Sequence, residues 1–478
     1  MPLPVITIAQ MREWEKATWS IGRTEEEVIQ RVGQCVAQQT LRLTRPGDLV
    51  LILAGIGHNG ADARSACASL VDRRVEVLDA SEAPADFDRL EVLLALRPAL
   101  VIDGLFGIGI NRPLNSPWVR FIERVNTAKA QVLAVDVPSG LDADTGQPQG
   151  AAIRASVTLT VGAPKTGLFL EPSWPFVGRL AVTGPVGLVP CPLKSDLLWT
   201  LPDDFIGFPP PRFVAAHKGT CGHLAIIAGS AGFHGAAVLA GRAAQRAQPG
   251  LITLYTTEKS YTPVASQLQA VMVSPWRPDI DLHGTASAVL VGPGLAGTDV
   301  PEPLKTAVRE LWLGSPLPVI ADASALDWLP PRAVTGGVLR VITPHPGEAA
   351  RLLGTTSQRV QANRFQAVRA LSGRYGHTWV VLKGHQTVVG RSTGEVYVNP
   401  SGNPHLAQGG SGDALAGFIA GMLAQPPLRN DPLTTLRYGV WEHGAAADEL
   451  QQTRPNWVVE ELIQNLGSQP AVRRVATA

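Results

Sequence analysis

The run Ala407-Gln408-Gly409-Gly410-Ser411-Gly412-Asp413-Ala414-Leu415-Ala416-Gly417-Phe418-Ile419-Ala420-Gly421-Met422 joins a glycine turn directly to apolar residues at helical spacing. Leu415, Phe418, Ile419 and Met422 fall on one stripe, so the turn opens a helix. Glycines there let backbone N–H groups converge on one point, where the positive end of the helix dipole adds to them. Such a turn holds an anion. A carboxylate beside an anion is repelled, so Asp413 needs a task. Accepting a proton from a hydroxyl that attacks a phosphoryl group fits it. Read alone, the same Asp also suits the first turn of any helix. The remaining motifs separate the two.

A chain of 478 residues exceeds one ordinary core, so two or three domains are expected. With 45% hydrophobic and 17% charged residues it is folded and well buried, not disordered. A net charge of +1 gives no pull towards nucleic acid or an anionic membrane, and neither is expected as a partner. Cys35, Cys67, Cys191 and Cys221 form no C-x-x-C pair or metal spacing, which fits a reducing cytoplasm. The N-terminal stretch lacks a basic segment followed by an apolar run, and no uninterrupted apolar span is long enough for a bilayer.

Residues 1–45 read as helical, with Met11, Trp14, Ala17 and Trp19 on one side and Val28, Val32 and Val36 on another. The first strand is Leu49 to Ala54, running into Gly55-Ile56-Gly57-His58-Asn59-Gly60-Ala61-Asp62 and then a small-residue helix over 63–70. Strand, glycine turn and helix make a nucleotide-binding unit, and Val75 to Leu78 supplies the next strand of a βαβ repeat. Two further strands end in acids: Leu100-Val101-Ile102 at Asp103, and Val132 to Val135 at Asp136. In a parallel sheet these carboxyl ends lie along one edge, where ligands bind. Each acid alone is an ordinary turn former. Asn59, Asp103 and Asp136 in series are more than that.

These residues carry a resemblance. Gly57 to Asp62, Asp103-Gly104-Leu105-Phe106-Gly107-Ile108-Gly109, Asp136-Val137-Pro138-Ser139-Gly140 and Val161-Gly162-Ala163-Pro164-Lys165-Thr166-Gly167 are similar to the epimerase domain of NAD(P)H-hydrate repair enzymes. The family's first loop reads Asn-Asn-Gly-Gly-Asp-Gly; here His58, Ala61 and Ala63 differ while Asn59, Gly60 and Asp62 match. The resemblance implies a potassium ion held by Asn59, Asp103 and Ser139. It also implies a hydrate held by His58, Asn59, Gly60, Ala61 and Asp62, by Gly107, Ile108, Gly109, Ile110, Asn111, Arg112 and Pro113, and by Asp136, which is a candidate for acid–base work. Ala61 and Ala63 place methyl groups where the family brings backbone close to a pyrophosphate.

Residues 184–212 are rich in proline, ending in Pro209-Pro210-Pro211, and read as a linker with the boundary near 205. The domains expected are therefore 1–205, Rossmann-like, and 206–478. The second half alternates strands and helices as a doubly wound parallel sheet does. Its strands span His223 to Ala228, Leu251 to Tyr255, Ala288 to Val291, Pro318 to Ala321, Leu339 to Ile342 and Thr378 to Leu382. No G-x-x-x-x-G-K-[ST] occurs, so it is not a P-loop domain.

Lys383-Gly384-His385-Gln386-Thr387 together with the Gly409–Asp413 run resembles the ribokinase-like fold. Thr343-Pro344-His345-Pro346-Gly347-Glu348, and His217-Lys218-Gly219 ahead of Ala228-Gly229-Ser230, narrow the likeness to the dehydratase half of the same repair enzymes. By that resemblance the chain is a bifunctional repair enzyme of two α/β domains. It epimerises hydrated NADH or NADPH and dehydrates one epimer at the expense of ADP, with magnesium accompanying the nucleotide. Ala237, Gly294, His345 and Asp413 would meet the hydrate. Lys383, Gly384, His385, Gln386, Thr387, Gly409, Gly410, Ser411 and Gly412 would line the ADP site, with Asp413 as base. A cytoplasmic homo-oligomer is expected. Two other readings stand beside it: a small-molecule kinase for a vitamin or sugar, with a non-catalytic first domain, and a regulatory protein whose first domain has lost catalysis.

Overall fold

Leu49–Ala54 is buried along its whole length, and its alternate side chains serve two different cores. Val50, Ile52 and Ala54 pack with Val32, Val36 and Ala37 of one helix, whereas Leu51 and Leu53 pack with Leu90, Leu93, Phe121 and Ile122 of two others. A strand apolar on both faces belongs in the middle of a helix-covered parallel sheet, and that is where it lies. The computed structural model describes residues 1–110, 112–332, 334 and 337–468. The elements of the first part are α1 (Ile8–Trp19), α2 (Glu25–Leu43), β1 (Leu49–Ala54), α3 (His58–Ser65), β2 (Arg74–Asp79), α4 (Ala83–Ala95), β3 (Leu100–Gly104), α5 (Ser116–Asn126), β4 (Gln131–Val135), β5 (Val157–Thr160) and β6 (Arg179–Val182). The sheet runs β2-β1-β3-β4-β5-β6, parallel throughout.

The helix expected over 63–70 begins instead at His58 and ends at Ser65, so the glycine turn is largely the first turn of α3. Gly60 makes this possible. A Cβ there would fall 1.9 Å from the Gly55 carbonyl oxygen, so only glycine lets α3 seat so close on the end of β1.

The second part contains β7 (Leu197–Trp199), β8 (His223–Ile227), α6 (His234–Arg246), β9 (Leu251–Thr256), β10 (Met272–Pro275), β11 (Ala288–Val291), α7 (Glu302–Gly314), β12 (Val319–Ala321), β13 (Arg340–Ile342), α8 (Pro346–Leu353), α9 (Arg364–Arg374), β14 (Trp379–Leu382), β15 (Val388–Gly390), β16 (Val396–Val398), α10 (Ser411–Leu423) and α11 (Pro432–Thr453), with shorter helical turns between them. Their order is β7-β16-β15-β14-β13-β12-β11-β8-β9-β10. The run from β10 to β14 is parallel, and β15 is antiparallel to both its neighbours. Two cores flank the sheet. One is capped by Leu304, Val308 and Trp312, the other by α6 and α10.

By contact the chain divides into Leu3–Ser195 and a unit from Asp196 onward that includes Met1–Pro2. The boundary expected near 205 thus differs from the observed one, because β7 pairs in parallel with β16 and draws residues 196–205 into the second unit.

α10 and α6 pack with almost no side chain between them. A Cβ on Gly417 would fall 2.1 Å from the Ala240 carbonyl oxygen, and one on Gly421 2.7 Å from that of Ala244. Alanine gains about 1 kcal/mol over glycine inside a helix. Overpacking against rigid backbone costs about 1–3 kcal/mol, so at this contact the loss outweighs the gain. Gly417→Ala should therefore lower the urea midpoint of the second unit, followed by tryptophan fluorescence. An unchanged or higher midpoint would show that the seam has slack.

Candidate functional sites

The carboxyl ends of β1, β3 and β4 open on a cavity of about 990 Å³. Its wall includes His58, Asn59, Asp62, Gly107 to Ile110, Arg112, Pro113 and Asp136, so the structure brings these expected residues together. Gly60 and Ala61 lie outside that wall, and Asn111 lies outside the described residues. Ala61 and Ala63 are turns of α3, and neither has a positive φ. Ala63 is fully buried, facing Gly104 of β3, so its methyl fills core space and meets no ligand. For Ala63 the expectation that its methyl stands against a pyrophosphate is therefore corrected.

Asp136 follows β4 with φ +64°, a left-handed backbone that costs a non-glycine residue about 1–2 kcal/mol. The turn is held by what the carboxylate receives. Its Oδ1 accepts from Lys165 Nζ at 2.5 Å, from the Val161 N–H at 3.0 Å and from Thr160 Oγ1 at 3.3 Å. Lys165 is fully buried and also donates to the Val161 carbonyl at 2.9 Å. A buried ammonium is tolerated only when so paired. Lys165 stood in a quoted motif without a role; its scarcity, one of eight lysines, was the available signal.

Asp103 is completely buried and receives both Ser139 groups, the N–H at 2.8 Å on one oxygen and the hydroxyl at 2.6 Å on the other. Burial pushes its carboxyl up to about 6 against the lowering effect of the Ser139 bonds. Asn59 Nδ2 donates to the Phe106 carbonyl at 3.0 Å, and Ser139 Oγ lies 3.1 Å from the same oxygen. Asn59 Oδ1 is buried with no hydrogen-bond partner. An orphaned amide oxygen beside a serine hydroxyl, a carbonyl and a carboxylate is the donor set a hard monovalent cation takes.

One acid on the wall escaped the sequence reading. Glu15 of α1 reads there as part of a solvated face, but it is half-buried and lines the cavity. Burial, then the charge of Asp136, raises its carboxyl. Asp62 is pushed up to about 8, by burial first and then by Asp136 and Glu15. At the mouth, His58 Nε2 stands 3.2 Å from Glu25 Oε2.

In the second unit α10 starts at Gly410, whose φ of +92° only glycine adopts freely. Asp413 sits in the first turn of that helix. Beside it, Lys383 Nζ lies 2.7 Å from Asp322 Oδ1, and that oxygen also accepts the Thr343 hydroxyl at 2.6 Å. A Cβ on Gly412 would come 3.2 Å from Lys383 Nζ, so the ammonium faces the glycine turn. Asp413 is pushed up to about 7, mainly by burial and by the charge of Asp322; Lys383 opposes this and Glu348 adds to it. Burial lowers Lys383, but the carboxylates of Asp322, Glu348 and Asp413 outweigh it and hold the ammonium above its ordinary value. Asp322 was legible only as a strand-end acid without a function.

His345 caps α8. Its Nδ1 accepts from the Gly347 N–H at 3.0 Å, its own N–H donates to Glu348 at 2.7 Å, and the ring stays half-exposed. The turn from Lys383 to Thr387 has Gly384 at φ +123° and Gln386 at +50°, and Arg364 donates to the carbonyls of Leu382 and Lys383 beneath it. Burial and Arg364 lower His385 in that turn. The loop ahead of α10 is tied to α11: the Gly402 N–H and Asn403 Nδ2 both reach Asp448, at 3.0 and 3.1 Å. His443, which the sequence reading did not single out, is buried with Nε2 3.1 Å from the Ser411 carbonyl. Burial pushes it down to about 4, so it is a neutral strut under the glycine turn. Gly294 adopts φ +65° with its carbonyl 2.6 Å from Ser230 Oγ, while the Ala237 side chain is fully buried beneath Gly229.

Against known families, residues 224–466 match "NAD(P)H-hydrate dehydratase" and residues 77–167 match "YjeF-related protein N-terminus". A relative from Coxiella burnetii named bifunctional NAD(P)H-hydrate repair enzyme Nnr is 33% identical over 473 residues, covering 92% of this chain and 93% of its own. A crystal structure of the ADP/ATP-dependent NAD(P)H-hydrate dehydratase from Bacillus subtilis, co-crystallised with ATP and Mg2+, is 33% identical with a TM-score of 0.50. It spans 56% of this chain and 95% of that one. A ribokinase-like superfamily protein from Enterococcus faecalis has a TM-score of 0.51 at 25% identity, over 58% of this chain and 96% of its own. Both halves of the sequence are thus accounted for, and the chain belongs to the bifunctional NAD(P)H-hydrate repair enzymes.

Proposed function

We propose that the two sites divide the repair of hydrated NADH or NADPH. The first unit interconverts the hydrate's epimers, and the second dehydrates one of them at the expense of ADP. The activity as a whole is that of the family; the assignment of residues is the proposal. The kinase reading is not favoured, because the curated relatives match both halves of the chain.

Water is a poor leaving group, so dehydration is made easy by first transferring phosphate to the hydrate hydroxyl. Asp413 takes the hydroxyl proton; its burial near one lysine and two acids is the observation that carries this reading. The N–H groups opening α10 receive charge on the transferred phosphoryl, and Lys383 adds a fixed positive charge beside them. The turn from Lys383 to Thr387 and the loop from Asn403 to Gly412 hold the nucleotide. His345 meets the hydrate, as do backbone groups near Ala237 and Gly294. Among the described residues no cluster of three or more His, Cys, Asp or Glu could hold a metal. Magnesium would accompany the nucleotide phosphates, where it would supply charge neutralisation.

Potassium fits the first site through Asn59 Oδ1, Ser139 and Asp103. Among the described residues no helix is long and apolar enough to cross a membrane, and the four cysteines are unpaired, as a cytoplasmic setting requires.

Asp413→Asn keeps the size and removes the base, so dehydration should fall by about two to four decades while nucleotide affinity changes little. Near-normal turnover would leave only helix capping. In the wild type the carboxylate forms as pH rises through about 7, so the dehydration rate should climb between pH 6 and 8. A flat profile there would remove Asp413 as the base.

Replacing sodium by potassium should raise the thermal midpoint of the first unit, since a ligand of the folded state stabilises it by mass action. Asn59→Leu should abolish that shift. Equal midpoints in the two salts for the wild type would refute the ion site.

A further inference from the structure

Water adds to the nicotinamide double bond with its hydroxyl on the carbon next to the ring nitrogen. The hydrate is therefore a hemiaminal. Inverting that carbon needs two proton positions, one at the hydroxyl and one at the nitrogen. The first unit's cavity offers more acids than its base requires. Asp136 is committed to Lys165 and carries the negative charge of that pair. Asp62 and Glu15 face the same space with no lysine or arginine bonded to either among the hydrogen bonds of the described residues.

We propose that Asp62 is the general acid of the epimerisation, working against Asp136 as base, and that Glu15 of α1 is a positioning residue acting through Asp62. This rests on the epimerase reading of the first unit. In the ring-opening step, the Asp136 carboxylate takes the hydroxyl proton. The O–H electrons become a carbonyl π bond and the carbon–nitrogen bond breaks. Its electron pair stays on nitrogen, which takes the proton of Asp62. The open-chain aldehyde turns about its carbon–carbon bond, and the nitrogen adds to the other face. The nitrogen proton then returns to Asp62 and the hydroxyl proton leaves Asp136. Nothing is oxidised and nothing departs.

Asp62 and Asp136 line the same cavity, and the charge of Asp136 acts on Asp62. In the proposed step they serve two neighbouring atoms, hydroxyl oxygen and ring nitrogen. Other charged groups face the same space. Arg12 lies beside Glu15 on α1, Glu25 opens α2 against His58, and Arg112 lies in the loop after β3. Arg64 of α3 turns away to Asp79 and the Ala54 carbonyl. With burial and two acids against it, Asp62 keeps its proton until about pH 8, which is what an acid needs at neutral pH.

The test is consumption of the wrong epimer by the full-length enzyme with ADP and magnesium, spontaneous inversion subtracted. Asp62→Asn should lose at least about 100-fold in epimerisation and leave dehydration of the correct epimer intact. The wild-type epimerisation rate should fall as pH rises through about 8. Glu15→Gln removes a negative charge facing Asp62, so that alkaline limb should move to lower pH by about one unit. A merely structural role for Glu15 would reduce the rate and leave the limb in place. In water labelled with heavy oxygen, the first inversion should retain the hydroxyl oxygen. An Asp62→Asn enzyme at wild-type speed, an unmoved limb in Glu15→Gln, or one labelled oxygen gained per inversion would overturn the proposal. A wild type no faster than background would overturn the epimerase reading with it.

Discussion

In each unit a lysine ammonium is paired with the carboxylate that closes a parallel strand: the fully buried Lys165 on Asp136 after β4, and the largely buried Lys383 on Asp322 after β12. Taking either charge out of water costs several kcal/mol, and only the partner with its further hydrogen bonds offsets it. Both lysines are supported in this way. Lys165 has Thr160 and Val161, and Asp322 has Thr343. The sites depend on these pairs because the neighbouring acids respond to them. Asp413 is raised by Asp322 and lowered by Lys383, and Glu15 feels both Asp136 and Lys165. A parallel sheet makes the device available, since it gathers successive strand ends along one edge where helix termini also point.

The strand-end acids were legible because a buried parallel strand is a short apolar run and whatever polar residue ends it stands out. Asp103 and Asp136 were found in this way, and the Gly410–Asp413 turn by its glycines running into an apolar helical stripe. What the sequence hid were groups that tertiary contact alone brings in. Glu15 lies on an amphipathic helix whose glutamates all look solvated, and only the seating of α1 shows which one faces the cavity. His443 is one polar residue in a long helix, and nothing in its spacing points to the Ser411 carbonyl. The division at Asp196 lies ahead of the bound expected near residue 205 for a related reason. Proline density marks where regular structure stops, but β7 is three residues long and joins the second sheet by pairing that no local composition announces.

Ala61 and Ala63 show the opposite error, in which a motif was read too literally. Glycine in a loop and alanine in a helix solve the same steric problem when the segment is already helical at His58. Ala63 meets Gly104, and the facing glycine leaves room for its methyl. That departure from the pattern falls in the core, whereas His58 is one that stands on the cavity wall.

The seam between α6 and α10 has a further consequence. With Gly417 set on the Ala240 carbonyl and Gly421 near that of Ala244, α10 meets the backbone of α6 directly at two points. Helices that shear past one another do so by small shifts of interdigitated side chains, and at these two points backbone stands in their place. The helix that carries Asp413 is therefore a fixed anvil. The turn over Arg364 and the loop tied to Asp448 are held instead by side-chain hydrogen bonds that can be exchanged one at a time.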